Sequence, residues 1–257
     1  MRAQALTLAA AGAAALFVPA TLTEPAAAVR PGAALPPAAV PPAAVARGAA
    51  RPGAAAVSRS EGRVPAADLL ARLHHCAPVS HGRYRTDSSG SGSAKVRICG
   101  TDEAVFWTAD MDIDCDGRPT ARCNRRTDPL FSAATAFHQS DGRHLSAEHL
   151  PYIVVPARSH IWNPHANGVR GGSVAAVVYR DTVRYAVVGD TGPRDIIGEA
   201  SYATARGLGI PADPRTGGAA SGVTYIVFKD SPVAPIEDHA EAVATGERLA
   251  RRFVRGG

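Results

Sequence analysis

The chain has 257 residues, of which 46% are hydrophobic and 20% charged, and its formal net charge at pH 7 is +5. Most of that excess comes from the first 60 residues, which contain five arginines and one acid, so the remainder holds 23 basic and 22 acidic residues. This balance, without a basic patch interleaved with aromatic residues, excludes nucleic acid as an expected partner.

The N-terminal segment has the composition of an export signal. Residues 1–28 contain Arg2, an apolar stretch over residues 5–20 and a run of small residues, and they predict a secretory signal peptide. Residues 29–60 are dominated by Ala, Pro, Gly and Arg, and are predicted to be a disordered linker or pro-segment. We expect a secreted, extracellular protein with no membrane segment after cleavage and one folded domain over residues 61–257.

The predicted elements of that domain are mostly strands between a short first helix and a long last helix. In chain order they are a helix over 66–74, strands over 95–98, 104–114, 152–155, 173–180, 183–188 and 223–228, and a helix over 238–254. The long polar or glycine-rich segments 83–94 and 213–222 are expected to form the walls of a cleft.

Four cysteines lie in the first third of the domain: Cys76, Cys99, Cys115 and Cys123. An exported chain with an even number of cysteines is expected to pair them, and three connectivities are possible. We favour Cys76 with Cys99, which pins the N-terminal segment, and Cys115 with Cys123, which closes a short loop after an aspartate-rich strand. A zinc–thiolate site is not expected, since the chain has no CxxC pair.

Four aspartates occupy every second position at the end of one predicted strand: Asp110, Asp112, Asp114 and Asp116. Alternate residues of a strand share a face, so this row of like charges requires a cation opposite it. Calcium is one candidate, because the last three aspartates and Gly117 match the start of an EF-hand loop, although Cys123 stands where that loop needs a glutamate. An amine-bearing substrate is the candidate that we favour, and a solvated acidic strand end is the third interpretation.

Another pair of acids flanks a glycine-bounded connection. Asp190 follows the apolar run 183–188 and should emerge at the end of a buried strand, whereas Glu199 should open a helix that runs to about Leu208. Two carboxylates placed in this way can flank a substrate. The structural alternative is that one acid satisfies a turn and the other is an ordinary acid of a first helical turn.

Three blocks, at residues 109–117, 150–156 and 189–201, resemble the chitosanases of glycoside hydrolase family 75, which are secreted enzymes of fungi and actinobacteria. The resemblance implies internal hydrolysis of the β-1,4 linkages of chitosan with inversion, and it implies that Asp190 and Glu199 are the essential acids. We expect a monomer without a cofactor or resident metal.

Inverting hydrolysis needs one protonated and one ionised carboxyl group, roughly 6.5 to 9.5 Å apart. Because a helix N-terminus favours an ionised Glu199, we expect Asp190 to be the general acid and Glu199 the general base, an assignment that burial could reverse. Chitosan carries amines, so the aspartate row is expected to bind it through charge-assisted hydrogen bonds. Tyr152 is a further candidate for substrate contact.

The alternating strands, long crossovers and an acid at a strand-to-turn junction resemble the double-psi barrel of family 45 cellulases and of some lytic transglycosylases. We therefore expect a mainly β (α+β) fold, a six-stranded double-psi-like β-barrel with peripheral helices. Two other functions remain open. One is a peptidoglycan lytic transglycosylase-like enzyme, which needs one catalytic acid and no base, and the other is a non-catalytic, calcium-dependent polysaccharide-binding module.

Overall fold

The computed structural model of the protein describes residues 60–87 and 93–256. The predicted signal peptide, and the predicted linker except for Ser60, lie outside the described residues. Within the described ranges, no helix has the length and apolar character needed to cross a membrane.

Strands dominate the described part of the chain. The strands are β1 (Ala77–Pro78), β2 (Cys99–Gly100), β3 (Ala104–Asp114), β4 (Tyr152–Pro156), β5 (Ser173–Tyr179), β6 (Thr182–Gly192), β7 (Glu199–Ser201) and β8 (Ala219–Pro232). The helices are α1 (Ala66–Ala71), α2 (Tyr202–Gly207) and α3 (His239–Arg255), with a short 3-10 turn over His165–Asn167.

Six of the strands close into a barrel in the order β3-β7-β4-β6-β5-β8, and β8 pairs back onto β3. The pairs β3–β7 and β4–β6 are parallel, whereas the other pairs of the ring are antiparallel. The short strands β1 and β2 extend the sheet from β3. The predicted mainly β fold, a six-stranded barrel with peripheral helices, is confirmed.

Alternate residues of the strands are buried against different apolar clusters, as the two-residue period of a strand requires. In β3, Val105 and Trp107 pack in one cluster, while Phe106 packs in the other. Helix α3 lies against β5 and β6. Its Phe253 meets Phe228 edge to face, with ring centroids 6.2 Å apart. Burial of such aromatic side chains supplies much of the free energy that holds the helix to the barrel.

The sequence predicted the bounds of β3 correctly and those of β4 and β5 to within one residue. Strand β6 is longer than predicted and continues to Gly192, so Asp190 lies within the strand. The prediction of a strand over 95–98 is wrong. There, Val96 forms only an isolated bridge with Tyr84, and the two-residue strand that follows pairs with β1 and β3.

The prediction that Glu199 opens a helix is also wrong. Glu199 begins strand β7, which pairs in parallel with β3, and helix α2 begins three residues later at Tyr202. Ser201 is the N-cap residue of that helix, since its hydroxyl oxygen accepts a hydrogen bond from the Thr204 N–H at 3.2 Å. A helix dipole therefore does not explain the ionisation state of Glu199.

The favoured cysteine pairing is the one in the structure. Cys76 bonds to Cys99, which joins the segment before β1 to β2, and Cys115 bonds to Cys123, which closes a loop directly after β3. The second disulfide fixes the start of the long connection between β3 and β4, and this connection forms one wall of the cleft described below.

Candidate active site

A cleft of about 630 Å³ lies over strands β3, β7, β4 and β6. Among the described residues, six carboxylates line it: Asp112, Asp114, Asp116, Asp128, Asp190 and Glu199. The same lining contains one cationic side chain, Arg215, and no aromatic ring. A cleft with this surplus of negative charge is suited to a cationic ligand.

Strand register places Asp190 and Glu199 on the two sides of Val154. In the parallel pair β4–β6, Val154 is the partner of Asp190. In the antiparallel pair β4–β7, Ile153 is the partner of Ala200, so Glu199 is opposite Val154 on the other side. The backbones of the two acids are therefore two strand spacings apart, or about 9.6 Å.

The side chain of Glu199 extends over the floor of the cleft. A β-carbon built at Gly192 would lie 2.8 Å from Oε2 of Glu199 and 3.1 Å from Cγ1 of Val154. Glycine at this position therefore leaves room for the carboxylate, and any larger residue would displace it. The two acids face one space, with an apolar side chain between them.

Backbone donors hold the carboxylate of Asp190. Its Oδ1 accepts hydrogen bonds from the N–H groups of Ala136, at 2.8 Å, and Thr191, at 2.7 Å. Burial raises the pKa of Asp190, whose residue is only 8% exposed, whereas these two donors lower it because they stabilise the ionised form. Asp190 thus has a fixed orientation and compensation for its charge.

Glu199 has a different environment. Burial, followed by the charges of Asp112, Asp116 and Asp190, raises its pKa to about 7. Within the described part of the chain, no donor forms a hydrogen bond with its carboxylate. The protonated form of Glu199 is therefore favoured well above the pH at which a solvated glutamate ionises.

Asp114 and Asp116 are bound into the loop that follows β3. Oδ1 of Asp114 accepts a hydrogen bond from the Asp116 N–H at 2.6 Å, and Oδ1 of Asp116 accepts one from the Ser132 N–H at 2.7 Å. Burial raises the pKa of Asp114 well above its usual range and that of Asp116 to about 6. Both carboxyl groups line the cleft.

Two of the predicted substrate-binding residues do not line the cleft. Tyr152 is fully buried, and its hydroxyl donates a hydrogen bond to the Asp116 carbonyl at 3.0 Å. Asp110 is 7% exposed and lies against Gly198, where a β-carbon would overlap its Oδ1. Their positions suit them to support the aspartates of the cleft, since a sugar ring has little access to either.

Sequence reasoning missed three residues of the cleft. Asp128 accepts a hydrogen bond from the Leu130 N–H at 2.8 Å, and it shapes a turn that leaves Leu130 exposed in the cleft. Arg215, in the predicted wall 213–222, donates from Nε to the Thr127 carbonyl at 2.9 Å and from Nη2 to the Arg126 carbonyl at 2.7 Å. These contacts join two loops. Neither loop has the periodic spacing of apolar residues that identifies a strand or helix, so no sequence signal identified these residues.

Comparison with known proteins matches the chain to chitosanases. Residues 111–252 match the family described as fungal chitosanase of glycosyl hydrolase group 75, and both Asp190 and Glu199 lie inside the match. Endo-chitosanase C of Aspergillus oryzae is 31% identical over 190 residues, which are 69% of this chain and 46% of that protein. Endo-chitosanase of Aspergillus fumigatus is 32% identical over 133 residues, which are 47% of this chain and 56% of that protein.

The chain therefore spans about half the length of the curated relatives that it matches. The family match itself covers more than half of the chain and contains the last four residues of β3 and all the barrel strands that follow it. The cleft described above, with its two acids on either side of Val154, lies within this matched region. On that basis, the chain belongs to the family of chitosanases of glycosyl hydrolase group 75.

Proposed function

We propose that this protein is a secreted, monomeric endo-chitosanase that cleaves β-1,4 linkages with inversion, using Asp190 and Glu199. The observation that carries the proposal is the placement of these two acids across Val154. An inverting enzyme needs roughly 6.5 to 9.5 Å between its carboxyl groups to admit a water molecule, whereas a retaining enzyme needs only about 5 to 5.5 Å. The backbones of the two acids are two strand spacings apart, and the Val154 side chain lies between them, so a water molecule has room beside the sugar, which supports the inverting arrangement.

In this proposal Glu199 is the general acid and Asp190 is the general base, the reverse of the expectation from the sequence. The reason is that Glu199 lies in a strand among other carboxylates, and its raised pKa of about 7 keeps it protonated in weakly acidic solution. Asp190 is oriented by two backbone N–H groups that favour its ionised form. The two environments differ as acid–base catalysis requires.

Glu199 donates its proton to the glycosidic oxygen as the bond from that oxygen to the anomeric carbon breaks. Asp190 accepts a proton from a water molecule, whose oxygen forms a bond to the anomeric carbon on the opposite face of the sugar. The products are two shorter chains, and the new reducing end has inverted configuration. Both acids then return to their starting states by exchange of one proton with solvent.

Chitosan is the proposed substrate because its amines are cationic in weakly acidic solution. Asp112, Asp114 and Asp116 line the cleft beside the proposed catalytic pair. A nearby ammonium group favours the ionised form of a carboxyl group, so binding of the amine offsets the effect of burial on these pKa values and allows charge-assisted hydrogen bonds. The relatives named above are endo-chitosanases. Secretion is supported by the export-signal composition of residues 1–28 and by the two disulfides.

The test is hydrolysis of soluble chitosan by the purified secreted protein. We expect new reducing ends together with a rapid fall in viscosity, which identifies internal cleavage, and proton NMR should show the α-anomer first. Glu199→Gln, purified in the same way, is the control for contaminating activity. Initial release of the β-anomer would reject inversion, and cleavage of peptidoglycan but not chitosan would reject the proposed substrate.

A further inference from the structure

A group of three carboxylates lies at one side of the cleft. One carboxylate oxygen from each of Asp87, Asp110 and Asp112 lies within 4.8 Å of those of the other two. Asp110 and Asp112 are alternate residues of β3, and Asp87 belongs to the segment that follows Tyr84. In the described ranges, none of the three forms an ion pair with an arginine, lysine or histidine.

The state of Asp110 indicates that a ligand belongs in this group. Asp110 is only 7% exposed. Among the described residues, its Oδ1 atom is inaccessible to solvent and has no hydrogen-bond partner. An isolated buried carboxylate oxygen is costly unless a positive charge or a donor compensates it. Gly198 covers this oxygen closely, with a φ of 117°, and supplies no donor to it.

We propose that Asp87, Asp110 and Asp112 bind one calcium ion. The donor set is all oxygen, which selects a hard cation, and calcium–oxygen distances of about 2.3 to 2.6 Å allow two ligand atoms to lie up to about 5 Å apart. The three oxygens satisfy that limit. A bare ion can contact the buried Asp110, whereas the amine of a bulky sugar ring has no such access.

This site is different from the EF-hand loop considered in the sequence. The two candidate sites share only Asp112. The other aspartates of the EF-hand-like loop, Asp114 and Asp116, accept backbone hydrogen bonds within the loop after β3. The new site instead uses Asp87, which lies far from β3 in the sequence and has no place in a short motif.

The ion has a structural role near the catalytic centre. The segment before Asp87 is paired with residues 195–197, since the Arg85 N–H donates to the Asp195 carbonyl and the Ile197 N–H donates to the Arg85 carbonyl. The Asp112 N–H donates to the Gly198 carbonyl at 2.7 Å. The segment 195–198, which leads to Glu199, is therefore hydrogen-bonded to the segment before Asp87 on one side and to β3 on the other. A cation that joins Asp87 to β3 stabilises both of these contacts.

The experiment measures calcium binding by the secreted protein without any substrate, so its outcome is independent of the proposed chitosanase activity. The protein is treated with a chelator, dialysed, and titrated with calcium chloride in a calorimeter. We expect one calcium ion per chain. At a hundredfold excess over the dissociation constant, the melting temperature should rise by about 5 °C or more, and sodium chloride of equal ionic strength should have no such effect.

Matched variants locate the site. Asp87→Asn removes an exposed ligand and should weaken calcium binding by on the order of tenfold or more, because affinity follows the number of charged ligands. Asp68→Asn removes an exposed carboxylate from α1 and should leave the affinity unchanged. Asp110→Asn should weaken calcium binding to a similar extent. If Asp110→Asn fails to fold because that residue is buried, the calcium affinity of Asp87→Asn alone decides whether the site exists.

Three results would overturn the proposal. The first is no heat of binding and no change in melting temperature at millimolar calcium. The second is equal affinity for calcium in Asp87→Asn and the parent protein, and the third is loss of binding in Asp116→Asn alone, which would assign calcium to the EF-hand loop. If calcium does not bind and Asp87→Asn raises the KM for chitosan, the exposed carboxylates of Asp87 and Asp112 hold a substrate amine instead.

Discussion

Glu199 and Asp112 lie opposite each other across the parallel strands β7 and β3. Residues paired in this way place their side chains on the same face of the sheet, so the two carboxylates repel each other when both are ionised. After burial, Asp112 is the largest contributor to the raised pKa of Glu199. A residue of the proposed substrate-binding row thus also sets the protonation state of the proposed general acid.

This relationship predicts the pH dependence of kcat/KM. Activity should fall above about pH 7, where Glu199 loses its proton. It should also fall on the acid side as Asp190, whose pKa is raised by burial, becomes protonated. Asp112→Asn removes a repelling charge, which lowers the pKa of Glu199 and moves the alkaline limb to lower pH. The measurement is kcat/KM against pH for both proteins, with a chelator present so that no bound calcium compensates the charge of Asp112. An alkaline limb at the same pH in Asp112→Asn and the parent protein would contradict the prediction.

Glu199→Gln and Asp190→Asn should each lower kcat for chitosan by about 100-fold or more, because each removes a proton-transfer group. The fold should survive in both. In Asp190→Asn the amide oxygen can still accept the hydrogen bonds from the Ala136 and Thr191 N–H groups. Reducing-end assays and circular dichroism are the measurements.

The matched control for this pair is Asp181→Asn, which changes an exposed carboxylate just before β6, at the end of that strand remote from Asp190. It should keep the activity of the parent protein. A folded Glu199→Gln or Asp190→Asn variant that retains more than about a tenth of the activity would remove that residue from the catalytic pair.

Asp116→Asn should raise the KM for chitosan more than it lowers the melting temperature. The lost charge weakens the attraction to substrate amines, while the amide oxygen can still accept the Ser132 N–H. The effect should shrink as acetylation of the substrate increases, and it should also shrink in added salt. An equal loss on all substrates would instead indicate damage to the loop.

The buried acids predict that the folded protein is less stable at alkaline pH. The folded-state pKa values of Glu199 and Asp110 are about 7 and that of Asp116 is about 6, all above their ordinary values. Between about pH 4 and 7 the folded state therefore binds more protons than the unfolded state, so the free energy of unfolding falls as pH rises through this window. In chelator, the melting temperature should be higher at pH 5 than at pH 8, and Asp110→Asn should reduce the difference.

Removal of the second disulfide should affect the cleft wall. Replacement of both Cys115 and Cys123 by serine should lower the free energy of unfolding by roughly 2 to 4 kcal/mol, because the unfolded chain gains entropy. Denaturant titration measures this loss. Thiol titration of the unfolded, unreduced parent protein should detect no free thiol, and two reactive thiols per chain would contradict the pairing.

The parts of the fold that depend on local pattern could be predicted from the sequence. Strand β3 begins with the apolar, β-prone run 104–107 and ends with aspartates at every second position, and its predicted bounds are correct. Strand β7 could not be predicted in this way, since its three residues form a strand by pairing with β3 and β4, which lie far away in the chain. Ser201 is the local signal that marks the true start of the following helix.

The depth of a side chain was equally inaccessible to sequence reasoning. Alternation correctly assigns Asp110 and Asp112 to one face of β3, but Gly198 covers only the first of them. Asp87 joins this pair through tertiary packing of a loop. Residues of one row can therefore differ in role because of what folds over them.

Closure of the barrel by β8 has a consequence for the association behaviour of the folded protein. Each of the six ring strands has a hydrogen-bonded neighbour on both sides. In the part of the chain that the structure describes, the sheet ends instead at β1, a strand of two residues that includes Pro78. Such an edge is a poor template for strand addition, so the folded protein should resist edge-to-edge aggregation even at high concentration.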